Sequence, residues 1–393
     1  MTESLLPQEL SALIQRVFQP RPTERSVAFL VDLPDAVVPD SAAWAERRRM
    51  VAAWAAGLHG LPDFPLRVQL VLYRNAHTNN GDLPATAWVV NPGLGPEGLP
   101  PNAEAMAGHP SIAFEDIFEE HPLLVAPTEF SATAPLKIAA RKHPFRAATM
   151  PGFAASMIPA LRLDYEEINR RVLYLKTLLD DAVMATCRFL VDDAVERELR
   201  LDLRHRTAHA SGGVFPDPGV AGNLPSGETY IVPYEGELAG DPSGSEGLLP
   251  VELEGQVLTY RVAGNKAVEV LDPGSSEVAR REARRVVEEP AYANIAELGL
   301  GVLDAFGVEP TGEILLDEKL GLHIAFGRSD HFGGVVGPGN FSSPGAVVHI
   351  DRVYVPRIQP RVKVLGVVLT TGSGKPLPIM ENGRYVIDFG SIG

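Results

Sequence analysis

The residues best able to do chemistry lie close together in one largely apolar segment, 347–355. His349 and Asp351 are two positions apart in it. If the segment is a β-strand, this spacing places both side chains on one face, about 6 to 7 Å apart. Burying an imidazole and a carboxylate is costly unless a partner satisfies them, and a divalent cation is the natural partner. The two side chains could instead bond each other or the backbone on an exposed face, so this pattern alone leaves both interpretations open.

Three other segments carry a polar residue where burial would require a partner. His323 interrupts an apolar run that follows an acidic turn. Glu297 is the single charge in the apolar, glycine-rich run 295–301, where burial without a counter-charge would strongly raise its pKa. Glu228 follows the loop 222–227 and precedes a predicted strand, and functional residues often lie at such junctions. Each also has an ordinary explanation, as a core histidine, a solvated helix face or a turn carboxylate.

The first half of the chain has the pattern of parallel α/β units. Apolar runs at 26–33 and 67–74 alternate with a helical pattern at 43–58. We therefore predict an N-terminal α/β domain, residues 1–160, with a mostly parallel sheet. Shorter apolar runs predict its further strands at 87–90, 123–126 and 145–149.

A long amphipathic helix follows, and we place it at 161–190 as a link between two domains. Apolar residues recur at spacings of three and four from Tyr165, and Asp164 with Glu167 forms a capping pattern. Beyond it, strands separated by glycine-rich loops predict a mixed β-rich α+β domain, residues 191–393, that carries the metal site. The predicted elements of this domain are strands at 251–262, 267–271, 322–326 and 347–355 and a helix at 277–289.

Composition limits the kinds of partner. The 393 residues include 35 basic and 50 acidic side chains, and the net charge of −15 opposes binding to nucleic acid or to anionic lipid. We expect no membrane partner and a cytoplasmic location, because no apolar run reaches the length of a membrane span and the N-terminus lacks a signal pattern. Cys187 is the single cysteine, so a metal site must be built from His, Asp and Glu.

Four ordered segments resemble the aminopeptidase T family of thermophilic-type metalloaminopeptidases: 222–228, 296–299, 317–318 with 323–327, and 349–351. The resemblance implies an α/β N-terminal domain and a distinct C-terminal domain with a two-metal site, in a protein that commonly dimerises. It also implies that Glu297 takes part in proton transfer. The metal-binding residues that it implies are Glu228, Glu297, Glu318, His323, His349 and Asp351.

The sequence departs from the family pattern at one position. The family has a tyrosine seven residues after the first histidine, thought to stabilise the developing oxyanion, and this chain has Asp330 there. The next residue, His331, is our candidate for a catalytic group in its place.

A related branch resembles 2,5-dihydroxypyridine dioxygenase, which uses this scaffold for one iron ion and ring cleavage. His323, His349 and Asp351 alone could form the two-histidine, one-carboxylate triad of such an enzyme. Charge counting favours the hydrolase, because four convergent carboxylates would be matched by two divalent cations but only half matched by one Fe(II).

We therefore expect a metal-dependent, aminopeptidase-like hydrolase that uses two divalent ions (Zn, Co or Mn) on a small or short-peptide substrate, as a homodimer. The first alternative is a mononuclear Fe(II) ring-cleaving dioxygenase. The second is a non-catalytic, metal-stabilised binding protein, although structural zinc sites are usually closed and rich in thiolate or imidazole ligands.

Overall fold

A computed structural model describes residues 3–271, 274 and 276–390. Its helices are, in chain order, α1 (Pro7–Phe18), α2 (Ala42–His59), α3 (Phe114–Glu120), α4 (Thr133–Ala140), α5 (Ile158–Leu161), α6 (Tyr165–Asp181), α7 (Glu277–Glu288) and α8 (Ile314–Asp317). Among these helices of the described residues, none combines the length and the apolar character that a membrane span requires.

The strands divide among three sheets. Those of the first half are β1 (Ser26–Leu33), β2 (Arg67–Arg74), β3 (Thr86–Val90), β4 (Ile112–Ala113), β5 (Leu123–Ala126) and β6 (Arg146–Thr149). Next come β7 (Ala182–Val191), β8 (Val195–Asp202), β9 (His209–Ser211), β10 (Val220–Asn223), β11 (Glu228–Ile231), β12 (Glu246–Leu253), β13 (Gln256–Ala263) and β14 (Lys266–Leu271). The last are β15 (Ile295–Gly301), β16 (Leu322–Gly327), β17 (His349–Val353), β18 (Val362–Thr371), β19 (Pro376–Glu381) and β20 (Arg384–Tyr385).

The first sheet confirms the predicted mostly parallel α/β layer. Its strand order is β10-β6-β5-β1-β2-β3-β4, with parallel pairing from β10 through β2 and antiparallel pairing at β3 and β4. The central strand β1 is buried along its whole length. A continuously apolar strand is what a parallel sheet covered on both faces requires, and this is why the run 26–33 could be recognised.

The second half forms two antiparallel sheets, which confirms the predicted β-rich character. One has the order β17-β16-β15-β11-β9 and the other the order β14-β13-β12-β8-β7-β18-β19-β20. The predicted long helix is present as α6, but it covers only part of 161–190, because Ala182–Val191 form β7. The backbone amides of Glu166 and Glu167 donate to the Asp164 carboxylate at the start of α6. Because that carboxylate satisfies two amides without helical partners, it fixes where α6 begins.

One predicted strand, 251–262, is wrong and is instead a hairpin. Strand β12 ends at Leu253 and pairs back on β13 from Gln256, so Glu254 and Gly255 form a two-residue turn. Both turn residues have positive φ, 50° and 76°, as the tight turns favoured in hairpins require. Glutamate is an unusual residue for that conformation, so position 254 carried no turn signal.

The chain divides into two compact units. One holds the described residues up to Glu167 together with 211–226 and 311–316, and the other holds 168–210, 227–310 and the described residues from Asp317 onward. A compact unit is not the same as a domain that folds on its own. The predicted domain limits 1–160, 161–190 and 191–393 therefore stay a prediction. Strands β11, β15, β16 and β17, which carry the candidate site, all belong to the second unit.

The strands of the candidate site place small residues opposite large polar ones. Gly299 pairs with His323, and a side-chain carbon at Gly299 would lie 1.8 Å from the Nε2 atom of His323. Glycine is therefore required there, because the His323 imidazole fills the space that a side chain at 299 would need. The other opposed pairs are Glu228 with Gly301, Glu297 with Ala325, Asp351 with Ala325, and His349 with Gly327.

We predict that Gly299→Ala forces His323 out of its position. Overpacking of this kind costs about 1 to 3 kcal/mol of unfolding free energy, which a urea denaturation curve would measure. Gly339→Ala is the matched control, because a side-chain carbon at Gly339 has nothing within 4 Å. Equal unfolding free energies for the two variants would contradict the close approach.

Candidate metal centre

Glu297 lies between two histidines in the middle of the five-stranded sheet. Its Oε1 atom is 3.1 Å from Nε2 of His323, and its Oε2 atom is 3.3 Å from Nε2 of His349. Both the Glu297 carboxylate and the His323 ring are almost fully buried. One carboxylate therefore presents a different oxygen to each imidazole.

Two further carboxylates complete two groups of possible ligands. Glu228 lies 3.5 Å from His323, and Asp351 lies 3.5 Å from His349. We call Glu228, Glu297 and His323 the Glu228 group, and Glu297, His349 and Asp351 the Asp351 group. Within each group the possible ligand atoms lie within 4.8 Å of one another, close enough to hold one metal ion. The two groups share Glu297.

The second nitrogen of each imidazole is held by a backbone carbonyl. Nδ1 of His349 lies 2.8 Å from the Arg328 oxygen, and Nδ1 of His323 lies 3.3 Å from the Gly321 oxygen. A carbonyl oxygen can only accept, so Nδ1 carries the proton in both rings. In the neutral ring this leaves the Nε2 lone pair directed at the centre of each group, as metal-binding histidines require.

The donor set fits a divalent cation. The Oε2 atom of Glu228 is buried and has no hydrogen-bond partner. An unpartnered buried carboxylate oxygen is costly, and a bound cation would satisfy it. Imidazole nitrogens with carboxylate oxygens suit Zn, Co, Mn or Fe(II), and the set does not distinguish among these ions.

Lys319 is the residue of the centre that sequence reasoning missed. Its side chain is fully buried, and its Nζ atom donates to Oε1 of Glu228 at 2.6 Å and to the Glu318 carboxylate. Glu318, a predicted metal-binding residue, thus lies against Lys319 and outside both groups. Lysine after two acidic residues is typical of an exposed turn, so the sequence carried no signal of its burial.

The ionisable groups of the site strongly shift one another's pKa values. Burial favours the neutral form of Glu297, but hydrogen bonds from His323 and His349 outweigh it and lower its pKa to about 2. Burial disfavours charge on His323, yet Glu297 and the nearby carboxylates raise its pKa to about 9. Asp351 and Glu297 likewise raise the pKa of His349 well above 6.5 despite burial. Burial opposes charge on Asp351 too, and His349 lowers its pKa.

The pKa of Glu318 is shifted in the opposite direction to that of Glu297. Burial raises its pKa to about 8, reinforced by the neighbouring carboxylates of Glu228 and Asp351 and opposed by Lys319. Glu318 therefore holds a proton near neutral pH, whereas Glu297 does not.

His331 lies at the edge of the Asp351 group. Its ring centre is 5.5 Å from that of His349, and burial, with the nearby charge of His349, lowers its pKa to about 4. Asp330, at the position where the aminopeptidase T pattern has a tyrosine, accepts a hydrogen bond from Nε of Arg328 at 2.6 Å. His331 is thus a neutral polar group beside the centre, whereas the Asp330 carboxylate is hydrogen-bonded to Arg328.

An aromatic wall, formed by Tyr230, Phe332 and His209, borders the same centre. Tyr230 follows Glu228 by two positions on β11, and its ring stacks on His209 with ring centres 5.3 Å apart. Phe332 lies 4.8 Å from Tyr230 and 5.5 Å from His349. These rings pack against one another beside His349 and make one side of the centre aromatic.

Comparison with known proteins shows the fold and leaves the activity open. No family model matches the chain, and no curated protein sequence does either. The 2,5-dihydroxypyridine dioxygenase of Pseudomonas putida KT2440 is similar in structure, with a TM-score of 0.62, 15% identity, and coverage of 98% of this chain and 97% of the other. AmpT of Thermus thermophilus, an aminopeptidase T, has a TM-score of 0.52, 15% identity, and coverage of 97% and 99%. The aminopeptidase T and dioxygenase resemblance is thus confirmed at the level of the fold.

We predict that cation binding strengthens with pH and releases protons. Below about pH 9 the free protein holds a displaceable proton on His323, and the raised pKa of His349 adds a second proton that a cation must displace. Raising the pH removes this competition, so affinity for Zn²⁺ should rise between pH 6 and pH 9, by up to roughly tenfold per pH unit for each displaced proton. Calorimetry in buffers of different ionisation enthalpy measures both the affinity and the number of protons released. Binding without proton release would contradict the ligand assignment.

Proposed function

We propose that this protein is a metal-dependent, aminopeptidase-like hydrolase that uses two divalent cations. The observation that carries the proposal is the position of Glu297, whose two oxygens face two different ligand groups. A carboxylate so placed would offer one oxygen to each group, and two cations together would supply the chemistry of a two-metal hydrolytic site. Glu228 and His323 would hold one cation, and His349 and Asp351 would hold the other.

The charge balance alone does not decide the number of cations. With all four carboxylates ionised, they and Lys319 carry a net −3, which two divalent cations would change to +1 and a single cation to −1. With Glu318 protonated the net charge is −2, which a single divalent cation would balance. Lys319 cancels one of the negative charges counted from the sequence, so the charge count no longer favours two cations. The division of the ligands into two groups takes its place as the support for two cations.

When bound, the cations would lower the pKa of a water molecule and polarise the carbonyl of the scissile amide. The protein's own groups handle the proton. The family resemblance assigns proton transfer to Glu297, but both of its oxygens lie against imidazole nitrogens. Glu318, which lies outside both groups and has a pKa of about 8, is a second candidate for holding the proton that passes to the leaving amine.

His331 takes the polar role of the missing tyrosine in this proposal. Its neutral imidazole can donate a hydrogen bond to the developing oxyanion without adding a positive charge. The aromatic wall would contact the first side chain of the substrate and favour an apolar or aromatic residue there.

A mononuclear Fe(II) dioxygenase is the second candidate. Two observations favour it: the likeness to 2,5-dihydroxypyridine dioxygenase, and Asp330 in place of the tyrosine. Against it, the residues of the required triad are divided between the two groups, His323 in one and His349 with Asp351 in the other.

The expected activity is release of an unblocked N-terminal residue. Protein reconstituted with Zn²⁺, Co²⁺ or Mn²⁺ should hydrolyse leucyl or phenylalanyl p-nitroanilide, and N-acetylated substrates should be inert. Oxygen uptake on a dihydroxylated aromatic ring with one Fe(II), without amide hydrolysis, would contradict the hydrolase and support the dioxygenase.

His331→Ala is the matched variant for this assay because it removes none of the proposed ligands. It should lower turnover by roughly 10²-fold or more while metal content stays at the wild-type value. Unchanged turnover would remove His331 from the mechanism and leave the two-cation site intact.

A further inference from the structure

Lys319 places a buried positive charge in direct contact with Glu228 and Glu318 of the centre. Its Nζ atom lies 2.6 Å from Oε1 of Glu228, and it also contacts Glu318. The fully buried Lys319 side chain keeps its positive charge because the buried Glu228 carboxylate, to which it donates, would otherwise be left without this counter-charge. The charge is therefore a fixed feature of the Glu228 group.

The Asp351 group has a different environment. Among the described residues, the ion pairs of Glu297 and Asp351 are with the two histidines alone. The Nδ1 atom of His349 donates to the backbone carbonyl of Arg328, and this carbonyl carries no charge. Thus no lysine or arginine forms an ion pair with the carboxylates of this group in the described part of the chain.

We propose that Lys319 makes the two groups unequal, so that the Asp351 group takes the first divalent cation and the Glu228 group takes a second, weaker one. The inference assumes the divalent occupants of the proposed function. Lys319 acts here as a positioning residue that also carries charge.

Two physical effects give this order. A cation in the Glu228 group would be repelled by the ammonium, and charges interact strongly at such buried positions because water does not screen them. Lys319 also occupies one oxygen of Glu228, so only the unpartnered Oε2 remains for a cation. In the described part of the chain Asp351 forms no ion pair with Lys319, so both of its oxygens stay available and the charge of Lys319 acts on it only without direct contact.

Lys319 has a compensating effect that must be weighed against these two. It holds Glu228 and Glu318 in place, and its loss would let both side chains move. Glu228 lies on a strand of the sheet and both Glu228 and His323 are buried, so neighbouring chain limits that movement. Removal of the charge should therefore outweigh the loss of order, and affinity at the Glu228 group should increase.

The test is a Co²⁺ titration of the full-length, metal-free protein, followed by calorimetry and by the visible spectrum of Co²⁺. Wild type should bind in two steps whose dissociation constants differ by at least about tenfold. Lys319→Gln, which keeps a hydrogen-bond donor and removes the charge, should tighten the weaker step by at least about tenfold. Lys319→Met repeats the test without a donor.

Substitutions of the proposed metal ligands show which group binds the cation in which step, and they leave Lys319 unchanged. Asp351→Asn should remove the tight step, and Glu228→Gln should remove the weak step. The inference is overturned if Glu228→Gln removes the tight step, if both steps are equal in wild type, or if Lys319→Gln leaves their ratio unchanged.

The same titration separates this inference from the proposed function. Two equal steps would overturn the inference and leave the two-cation hydrolase standing. A single wild-type step, lost in Asp351→Asn and kept in Glu228→Gln, would support the order of binding and contradict the two-cation hydrolase.

Discussion

The contact on which the candidate centre depends is that of one buried carboxylate, Glu297, with two imidazoles. Each Glu297 oxygen lies just over 3 Å from a histidine Nε2, and both rings are held from behind by backbone carbonyls. The sheet makes room for this arrangement by placing glycine or alanine opposite each polar side chain. Without Gly299 the His323 ring would have no space, and Glu297 would lose one of its two partners.

Lys319 is the second determinant of the centre. Unlike the protons on His323 and His349, its positive charge is not displaced when a cation binds, and it contacts Glu228 and Glu318 at once. It reduces the mutual repulsion of the carboxylates in the metal-free protein, and it sets the net charge that any bound cation must balance. The centre is consequently asymmetric even though both ligand groups have similar compositions.

The sequence predicted the ligand-bearing strands well, because a polar residue in an apolar run is visible in a single segment. It predicted that His349 and Asp351 share a face, since that follows from the two-residue period of a strand. It could not predict how the residues group, because grouping depends on the register between strands far apart in the chain. The burial of Lys319 and the turn at Glu254 were missed because each residue type usually lies elsewhere: lysine at the surface, and glutamate outside tight turns.

The central claim is that Glu297 is shared between two cations, and the metal content of three single variants tests it most directly. Glu297→Ala should lose both cations, whereas Glu228→Ala and Asp351→Ala should each retain one. The comparison is made by elemental analysis of folded, dialysed protein beside wild type, which should hold two per chain. Glu297→Ala protein that retains one cation would show that the two groups are separate, and would contradict the account.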